Sequence, residues 1–443
     1  MKNTAYILLI IASVALMSCG KNGEPEYVRQ DQLEIKTFPI TPLIEPCLLP
    51  DGSIVTLVED NAGKQRPMTD DFLYEPSYHL VKLAKDGTMS QSPKLSFYFG
   101  YTNARQLRWT DTDDEGYRIK YSLDITAQGE VIFQYRNNKL FGVSKMESGV
   151  YIDHYAEYLG GAPLSDGNYA IISPSDKSLT MSIIDSDGNQ TQTYTLPYFT
   201  YDKKAYYEVY GICGNVMIVA HVADAADDYY IYSPNGQLLN YGTSEYTFDL
   251  IVNIIDPSTN TPTHCYAITS DMVMPKEDNA SGEEDSEEDN ASSEEDSETQ
   301  AACIIRKLDT QGHVIYQQYV PDVLEIDNII EQDGQLICAG YYSDLWDQMS
   351  DENNFNQATR LLTSVVGKII TLNAVDGNVL SSNTISLEGG VRPYAAVPDG
   401  KGGMHIYMSR YFSSDVGQMT SSSLYGSSIY IYHIDDLNKL NIE

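Results

Sequence analysis

The stretch Tyr78-His79-Leu80-Val81-Lys82-Leu83, followed by Lys85-Asp86-Gly87, decides the fold. Apolar and polar side chains alternate along the run, as they do in a half-buried β-strand. The Asp-Gly pair then predicts a tight hairpin turn, because glycine adopts positive φ without a steric cost. A strand, a turn and a second strand are therefore predicted here.

Turns of this kind recur along the chain at intervals of about 40 to 75 residues, which predicts a repeat architecture. The further members of this first set are Ala127-Gln128-Gly129, Ser186-Asp187-Gly188, Pro234-Asn235-Gly236, Thr310-Gln311-Gly312 and Val375-Asp376-Gly377. A second set alternates with the first and consists of Pro50-Asp51-Gly52, Ser165-Asp166-Gly167, Cys213-Gly214-Asn215, Gln332-Asp333-Gly334 and Pro398-Asp399-Gly400. Two alternating hairpins give four strands per unit, and four-stranded antiparallel units in series are the blades of a β-propeller.

Pairing the two sets of turns predicts an all-β fold with seven four-stranded blades, although six or eight blades also fit. The predicted blades cover residues 44–98, 99–150, 155–200, 205–246, 247–323, 326–388 and 391–443. The segment from Gln32 to Ile40 is expected to supply the outer strand of the last blade. This strand would close the ring and remove the sheet edges on which other chains could pair. Residues 32–443 are therefore expected to form a single domain.

The N-terminus has the features of a secretory signal over residues 1–18. A short basic start precedes an apolar run from Tyr6 to Met17, which is too short to span a bilayer comfortably. Leu16-Met17-Ser18-Cys19 resembles the lipobox of bacterial lipoproteins. This resemblance implies that Cys19 is diacylated and that residues 19–31 form a lipidated, flexible tether. The alternative is an ordinary signal peptide with a chance cysteine.

The residue after Cys19 bears on the location of the protein. Enteric lipoproteins that stay in the inner membrane carry Asp at this position, whereas this chain carries Gly20. The resemblance therefore implies a protein anchored to the outer membrane, at its periplasmic or cell-surface face. We expect the lipid anchor to be the only contact with the membrane.

The net charge of −35 argues against nucleic acid and anionic lipid surfaces as partners, because both repel acidic proteins. Much of this charge lies in a tandem duplication, 277–287 and 288–298, in which ten of eleven positions match and 12 residues are acidic. With no apolar side chain larger than alanine, the insert 276–299 is predicted to be disordered. It fits either a loop that collects Ca²⁺ or aids solubility, or an expanded surface loop without a role of its own.

Five cysteines remain after Cys19, and no C-x-x-C spacing indicates a zinc or redox site. Cys265 and Cys303 flank the acidic insert, so a disulfide between neighbouring strands is one expectation. The alternative is that all five cysteines are small buried residues, as free cysteine usually is.

The segment from Asp111 to Gly116 is the candidate metal site. Asp111, Asp113 and Glu115 alternate before a glycine, a pattern that can wrap Ca²⁺. A full EF-hand is excluded, because its twelfth position would be Ser122 rather than glutamate. A solvated acidic hairpin is the alternative. No other cofactor is predicted.

Trp109 and Trp346 lie in polar, loop-like stretches and are candidate ligand platforms. The 35 tyrosines fit both strands and binding faces, so they do not discriminate between the two. The sequence contains no H-E-x-x-H, no G-x-S-x-G elbow and no P-loop. Catalytic residues are therefore not assigned.

The chain as a whole resembles the β-propeller ectodomains of Bacteroidetes-type surface lipoproteins, a family without assigned activity. The resemblance rests on the lipobox and the hairpin repeat. It implies a binding module for a protein or glycan partner rather than an enzyme. The alternative is a hydrolase or lyase that acts on polysaccharide through carboxylates in the central funnel. Four or more titratable groups within hydrogen-bond reach there would argue against binding alone.

Overall fold

The computed structural model describes residues 34–38, 40, 42, 44, 46–59, 78–95, 120–126, 130–136, 141–145, 149–154, 158–199, 201–202, 205–221, 227–244, 248–256, 258–275, 299–343, 364–387, 390–411 and 428–434. These residues form 28 β-strands in seven four-stranded antiparallel sheets. The all-β prediction and the count of seven blades are both confirmed.

The strands of the first four blades and the strand that precedes them are β1 (Glu34–Phe38), β2 (Cys47–Leu48), β3 (Ile54–Glu59), β4 (Tyr78–Leu83), β5 (Met89–Gln91), β6 (Lys120–Ile125), β7 (Val131–Arg136), β8 (Phe141–Lys145), β9 (Gly149–His154), β10 (Gly160–Pro163), β11 (Tyr169–Ser175), β12 (Ser178–Ile184), β13 (Gln190–Thr195), β14 (Tyr206–Ile212), β15 (Asn215–His221), β16 (Asp227–Tyr232) and β17 (Leu238–Ser244). The last three blades contain β18 (Leu250–Asp256), β19 (Thr261–Pro275), β20 (Thr299–Leu308), β21 (Val314–Pro321), β22 (Glu325–Gln332), β23 (Gln335–Tyr342), β24 (Val366–Asn373), β25 (Val379–Ile385), β26 (Gly390–Pro398), β27 (Met404–Tyr411) and β28 (Ile429–Ile434).

The seventh blade joins the two ends of the chain. Its strand order is β1-β28-β27-β26, whereas the other six sheets each use four consecutive strands. Glu34 is opposite His433, and Phe38 is opposite Ile429. The predicted closing strand is therefore confirmed, and β1 covers the edge that β28 would otherwise expose.

Seven hydrophobic clusters among the described residues hold the ring together, one at each seam between neighbouring blades. Representative pairs, in order around the ring, are Leu80 and Phe133, Ile132 and Ile171, Leu179 and Ile218, Met217 and Ala267, Ile268 and Ile370, Ile369 and Ile406, and Tyr407 and Leu83. The last seam joins the seventh blade to the first, so the series closes on itself. Each blade thus buries its apolar faces against two neighbours, as expected of a repeat fold.

The two ends of the blades differ. At one end, which we call the short-turn face, every turn from a first to a second strand or from a third to a fourth strand has at most five residues. The opposite end, the long-loop face, carries the connections from second to third strands and from each blade to the next. The long connections 60–77, 276–298, 343–365 and 412–428 all leave and re-enter the blades there. First strands begin at this face.

Aspartate fixes the short turns. The Asp309 carboxylate accepts the backbone N–H groups of Gln311 and His313 at 2.8 and 2.9 Å, and Gly312 adopts φ +82°. Asp185 and Asp399 hold their turns in the same way. Within the motif itself, the Asp86 carboxylate accepts Thr88 N–H at 2.8 Å, so such local side-chain to backbone bonds favour Asp both before and within these turns.

One turn of the first set is assigned differently by the structure. Residues 127–129 themselves lie outside the described residues, but they fall between β6 and β7, which are the first and second strands of the second blade. This turn therefore belongs with the second set, whereas the other members of the first set join third to fourth strands. The sequence of the turn could not show whether it follows a first strand or a third strand, because both kinds of turn use the same residue types.

Candidate functional site

The long-loop face is the candidate functional site, because the first strands bring ionisable side chains to it and the strands that flank the long connections end there. Several residues that the sequence singles out lie outside the described residues. These are Cys19, Trp109, Asp111, Asp113, Glu115 and Trp346, together with the acidic insert. The groups described below were not singled out by the sequence.

A buried ionic cluster joins the first strands of the sixth and seventh blades. The Arg392 guanidinium on β26 donates from Nε to Asp327 Oδ2 at 3.1 Å and from Nη2 to Asp327 Oδ1. Nη2 also donates to Glu325 Oε1 at 3.2 Å. The side chain of Arg392 is 5% exposed, that of Asp327 is 0% exposed and that of Glu325 is 25% exposed. Glu325 is therefore the member of the cluster that reaches solvent.

Tyr341 completes this cluster. Its hydroxyl donates to Glu325 Oε2 at 2.6 Å, and its ring lies 4.6 Å from the Arg392 guanidinium carbon. Burial, together with the nearby Glu325 charge, raises the pKa of Tyr341 well above its ordinary value. The phenol therefore stays protonated and acts as a hydrogen-bond donor to the carboxylate.

Backbone irregularities place these side chains. On β22, Ile326 is opposite Gly340 and Asn328 is opposite Ala339, so Asp327 is the extra residue of a β-bulge. A similar register shift between Pro393 and Ala395 interrupts β26. A bulge re-aims the side chains around it, which lets the first strand of one blade reach the first strand of the next.

Asn328, next in the chain, extends this junction to a third blade. Its Nδ2 donates to Tyr394 O and to Pro46 O, both at 2.8 Å, and its Oδ1 accepts Leu48 N–H at 2.9 Å. The sixth, seventh and first blades are thus joined through one buried amide. These hydrogen bonds fix the positions of the first strands relative to one another. Binding and catalytic sites need this kind of fixed support.

A second ionisable group lies on the fourth blade at the same face. His221 Nδ1 is 2.8 Å from Asp227 Oδ2, and His221 Nε2 is 3.3 Å from Glu208 Oε2. The Tyr210 hydroxyl lies within hydrogen-bond distance of the same Glu208 carboxylate and of Phe248 O, and its one proton can be donated to either. The three ionic side chains are 14 to 18% exposed. They come from three adjacent strands and enclose the imidazole between two carboxylates.

The environment of His221 makes its protonation dependent on folding. Burial lowers its pKa, but the hydrogen bonds and charges of Glu208 and Asp227 outweigh burial, so the pKa is raised. A histidine with a raised folded-state pKa stabilises the fold fully below its unfolded-state pKa of about 6.5, and this contribution is lost as pH rises through the folded-state value. Asp249 and Tyr210 lie in the same charged neighbourhood.

We therefore expect the substitution His221→Gln to cost more stability at acidic than at alkaline pH. Urea unfolding of the wild type and the variant at about pH 5.5 and about pH 8.5 measures this difference. His313→Gln, at a histidine whose side chain is 57% exposed, is the matched control. An equal loss at both pH values would contradict the assignment of a raised pKa.

Polar clusters also occur on the short-turn face, where they join blades rather than line a wide surface. Glu331 accepts hydrogen bonds from His264 Nε2 and from the Tyr266 hydroxyl, both at 2.6 Å, and Lys307 Nζ lies 3.8 Å away. These groups link the fifth and sixth blades. Their mutual pairing gives them a structural role.

The predicted pairing of Cys265 with Cys303 is not formed, because all five described cysteines are free thiols. The register explains why. Cys265 on β19 is opposite Leu308, which lies five residues after Cys303 on β20. At about 3.4 Å per residue the two positions are far beyond the Cα separation that a disulfide allows.

The described residues contain no group of three or more His, Cys, Asp or Glu side chains suited to hold a metal ion. Within the same parts of the chain, no helix is long and apolar enough to cross a membrane. The Ca²⁺ expectation at Asp111, Asp113 and Glu115 falls elsewhere in the sequence and stays a prediction.

Comparison with known proteins identifies no family. The chain matches no protein-family model and no curated protein. Among solved structures, a protein of unknown function from Bacteroides caccae is 12% identical, with a TM-score of 0.35 over 69% of this chain and 89% of that chain. Lignostilbene dioxygenase from Pseudomonas brassicacearum is 10% identical, with a TM-score of 0.42 over 91% and 92% of the two chains.

The NanB sialidase from Streptococcus pneumoniae is 9% identical, with a TM-score of 0.39 over 97% of this chain and 73% of that chain. These neighbours include enzymes and a protein of unknown function, and likenesses this remote favour neither class for this chain. The assignment of the fold rests on the seven four-stranded sheets and on the seven hydrophobic clusters between them.

Proposed function

We propose that this chain is a lipid-anchored, extracytoplasmic binding module that holds a protein or glycan partner on its long-loop face. The observation that carries the proposal is the division between the two faces. The strands that flank the long connections all end on one face of the ring, whereas the turns at the other face have at most five residues. Loops positioned by a rigid scaffold are where proteins usually place recognition.

Electrostatics favour a partner that is neutral or positively charged. Glu208, Asp227, Asp249, Glu325 and Asp327 lie at or just below the long-loop face. Cations also lie there, including Lys177, Lys368, Arg392 and Arg410, but the chain as a whole carries a net charge of −35. The acidic duplication connects β19 to β20 at the same end. An acidic face repels acidic partners and speeds association with basic ones.

A second candidate function, a polysaccharide hydrolase or lyase, is favoured by the Arg392 cluster. Hydrogen bonds connect four titratable groups here: Arg392 donates to Asp327 and to Glu325, and Tyr341 donates to Glu325. Such a convergence supports an enzyme, which needs several ionisable groups in one place. The pairing within the cluster favours binding. Arg392 and Asp327 are buried and neutralise each other, which leaves Glu325 as the partly exposed carboxylate of the cluster.

One experiment separates the two functions. Residues 20–443 are applied to an array of defined neutral, acidic and basic oligosaccharides and to a panel of purified surface proteins, with calcium and with a chelator. Reducing-end and unsaturated-sugar assays on the same polysaccharides detect hydrolysis or elimination. The binding proposal predicts retention without new chain ends. Turnover that Glu325→Gln abolishes would instead support the enzyme.

A further inference from the structure

The strongest unassigned feature is a pair of thiols at the seam between the fourth and fifth blades. Cys213 lies in the turn that follows β14, and Cys265 lies on β19. Both belong to one hydrophobic cluster with Met217, Ala267 and Leu308. Cys213 is 6% exposed and Cys265 is 0% exposed. The Cys213 thiol is close enough to that of Cys265 to raise its pKa.

The backbone fixes this proximity independently of the thiols. Asn253 on β18 is directly opposite Cys265 in the antiparallel register, so both side chains lie on one face of the sheet. That face is turned toward the fourth blade, because Asn253 Oδ1 accepts Cys213 N–H at 2.6 Å and Asn253 Nδ2 donates to Gly211 O at 3.1 Å. One asparagine thus anchors the backbone of Cys213 beside the strand that carries Cys265.

The other cysteines have different surroundings. The Cys303 thiol donates to Val323 O at 3.5 Å, and the Cys47 thiol donates to Leu48 O at 3.8 Å. Cys338 and Cys303 both lie in the cluster at the seam between the fifth and sixth blades. Cys213 and Cys265 differ from that pair in having a backbone anchor, because Asn253, opposite Cys265, binds the N–H group of Cys213.

We propose that Cys213 and Cys265 form a disulfide that cross-links the fourth and fifth blades when the chain folds in an oxidising compartment. The oxidant is a disulfide, either a small molecule or a thiol–disulfide oxidoreductase. Two Cys–SH groups and one R–S–S–R give one Cys–S–S–Cys and two R–SH, with a mixed disulfide as the intermediate. Two electrons pass from the cysteines to the oxidant, and both thiol protons leave on the R–SH products.

Bond formation is expected during folding and not afterwards. In the folded chain, Cys265 is inaccessible to solvent, and its pKa is raised by the neighbouring Cys213 thiol and by burial. Little thiolate is then available to attack an oxidant. A chain that folds under reducing conditions keeps both thiols, whereas oxidative folding fixes the seam.

The test uses chemical cleavage after methionine, because trypsin has no site between the two cysteines. This cleavage places Cys213 in the fragment 182–217 and Cys265 in the fragment 218–272, each as the sole cysteine. Residues 20–443 are refolded with oxidised and reduced glutathione, alkylated in denaturant, cleaved and weighed. We expect the two fragments to be joined, with the loss of two hydrogen masses. Alkylated thiols at both positions, or Cys265 joined to the fragment that carries Cys303, would overturn the proposal.

A thermal measurement on the same material gives a second readout that needs no variant. Closing a loop of about 50 residues should raise the Tm of a chain of this length by about 5 °C relative to the reduced protein. Protein exported to an oxidising compartment should show the same cross-link as the refolded material. Cys303→Ser should keep the cross-link and the shift in Tm, whereas Cys213→Ser should lose both. A Tm that does not respond to oxidation would contradict a cross-linked seam.

Discussion

Replacing Arg392 by methionine is expected to lower the free energy of unfolding by about 3 to 5 kcal/mol. The guanidinium is the charge partner of Asp327, whose side chain is completely buried. Removing one member of a buried ion pair leaves the other charge without compensation, and this costs more than the pair itself contributes. Urea unfolding followed by tyrosine fluorescence and far-UV circular dichroism measures the loss.

Two controls separate this effect from a general loss of charge. Lys82→Met removes an ion pair with Asp51, whose side chain is 57% exposed, and should cost about 0 to 1 kcal/mol. The double variant Arg392→Met with Asp327→Leu removes both charges and should recover much of the loss, because a well-packed apolar pair can replace a buried ion pair. If Arg392→Met costs no more than Lys82→Met, the buried cluster does not hold the sixth and seventh blades together.

Removing the closing strand is expected to have the second large effect. A chain that begins at residue 42 lacks β1, so the edge of β28 from Ile429 to His433 loses its partner. At about 1 kcal/mol per backbone hydrogen bond, the loss of this ladder should cost about 3 to 5 kcal/mol. The exposed edge should also promote pairing between molecules. Thermal unfolding and light scattering measure the two consequences.

A chain that begins at residue 32 is the matched control, because it loses the tether and keeps β1. It should match the chain that begins at residue 20 in Tm and in molar mass. Adding a synthetic peptide of residues 32–40 to the chain that lacks β1 should restore part of the stability. The account of closure is wrong if the chains that begin at residues 32 and 42 are equally stable and equally monomeric.

The hairpins, the blades and the closure of the ring could be predicted from the sequence because their signals are local. An Asp-Gly turn between alternating runs specifies a hairpin within about ten residues. Counting such hairpins then leaves one missing strand, which the segment around Glu34 to Phe38 supplies. Whether 127–129 belongs to the first or the second hairpin of its blade could not be predicted, because both sets of turns have the same chemistry.

The ionic clusters and the cysteine pair depend on contacts that no local pattern encodes. Arg392 and Asp327 are 65 residues apart and meet through bulges that shift the register of β22 and β26. Proximity in the hairpin suggested Cys265 with Cys303, whereas the register sets Cys265 against the fourth blade. One sequence signal could have indicated the ionic cluster. Arg392 is a charged residue within an otherwise apolar first strand.

The most direct test of recognition on the long-loop face blocks each face in turn. Lys177 and Asp187 are exposed residues at opposite ends of β12, the first at the long-loop face and the second at the short-turn face. Lys177→Cys and Asp187→Cys each accept a maleimide-linked polyethylene glycol chain, and binding to each ligand found on the array is measured before and after attachment. If the partner binds the long-loop face, the polymer at position 177 should lower the affinity at least about tenfold, about 1.4 kcal/mol, and the polymer at position 187 should change it little. Loss at position 187 with binding intact at position 177 would contradict recognition on the long-loop face.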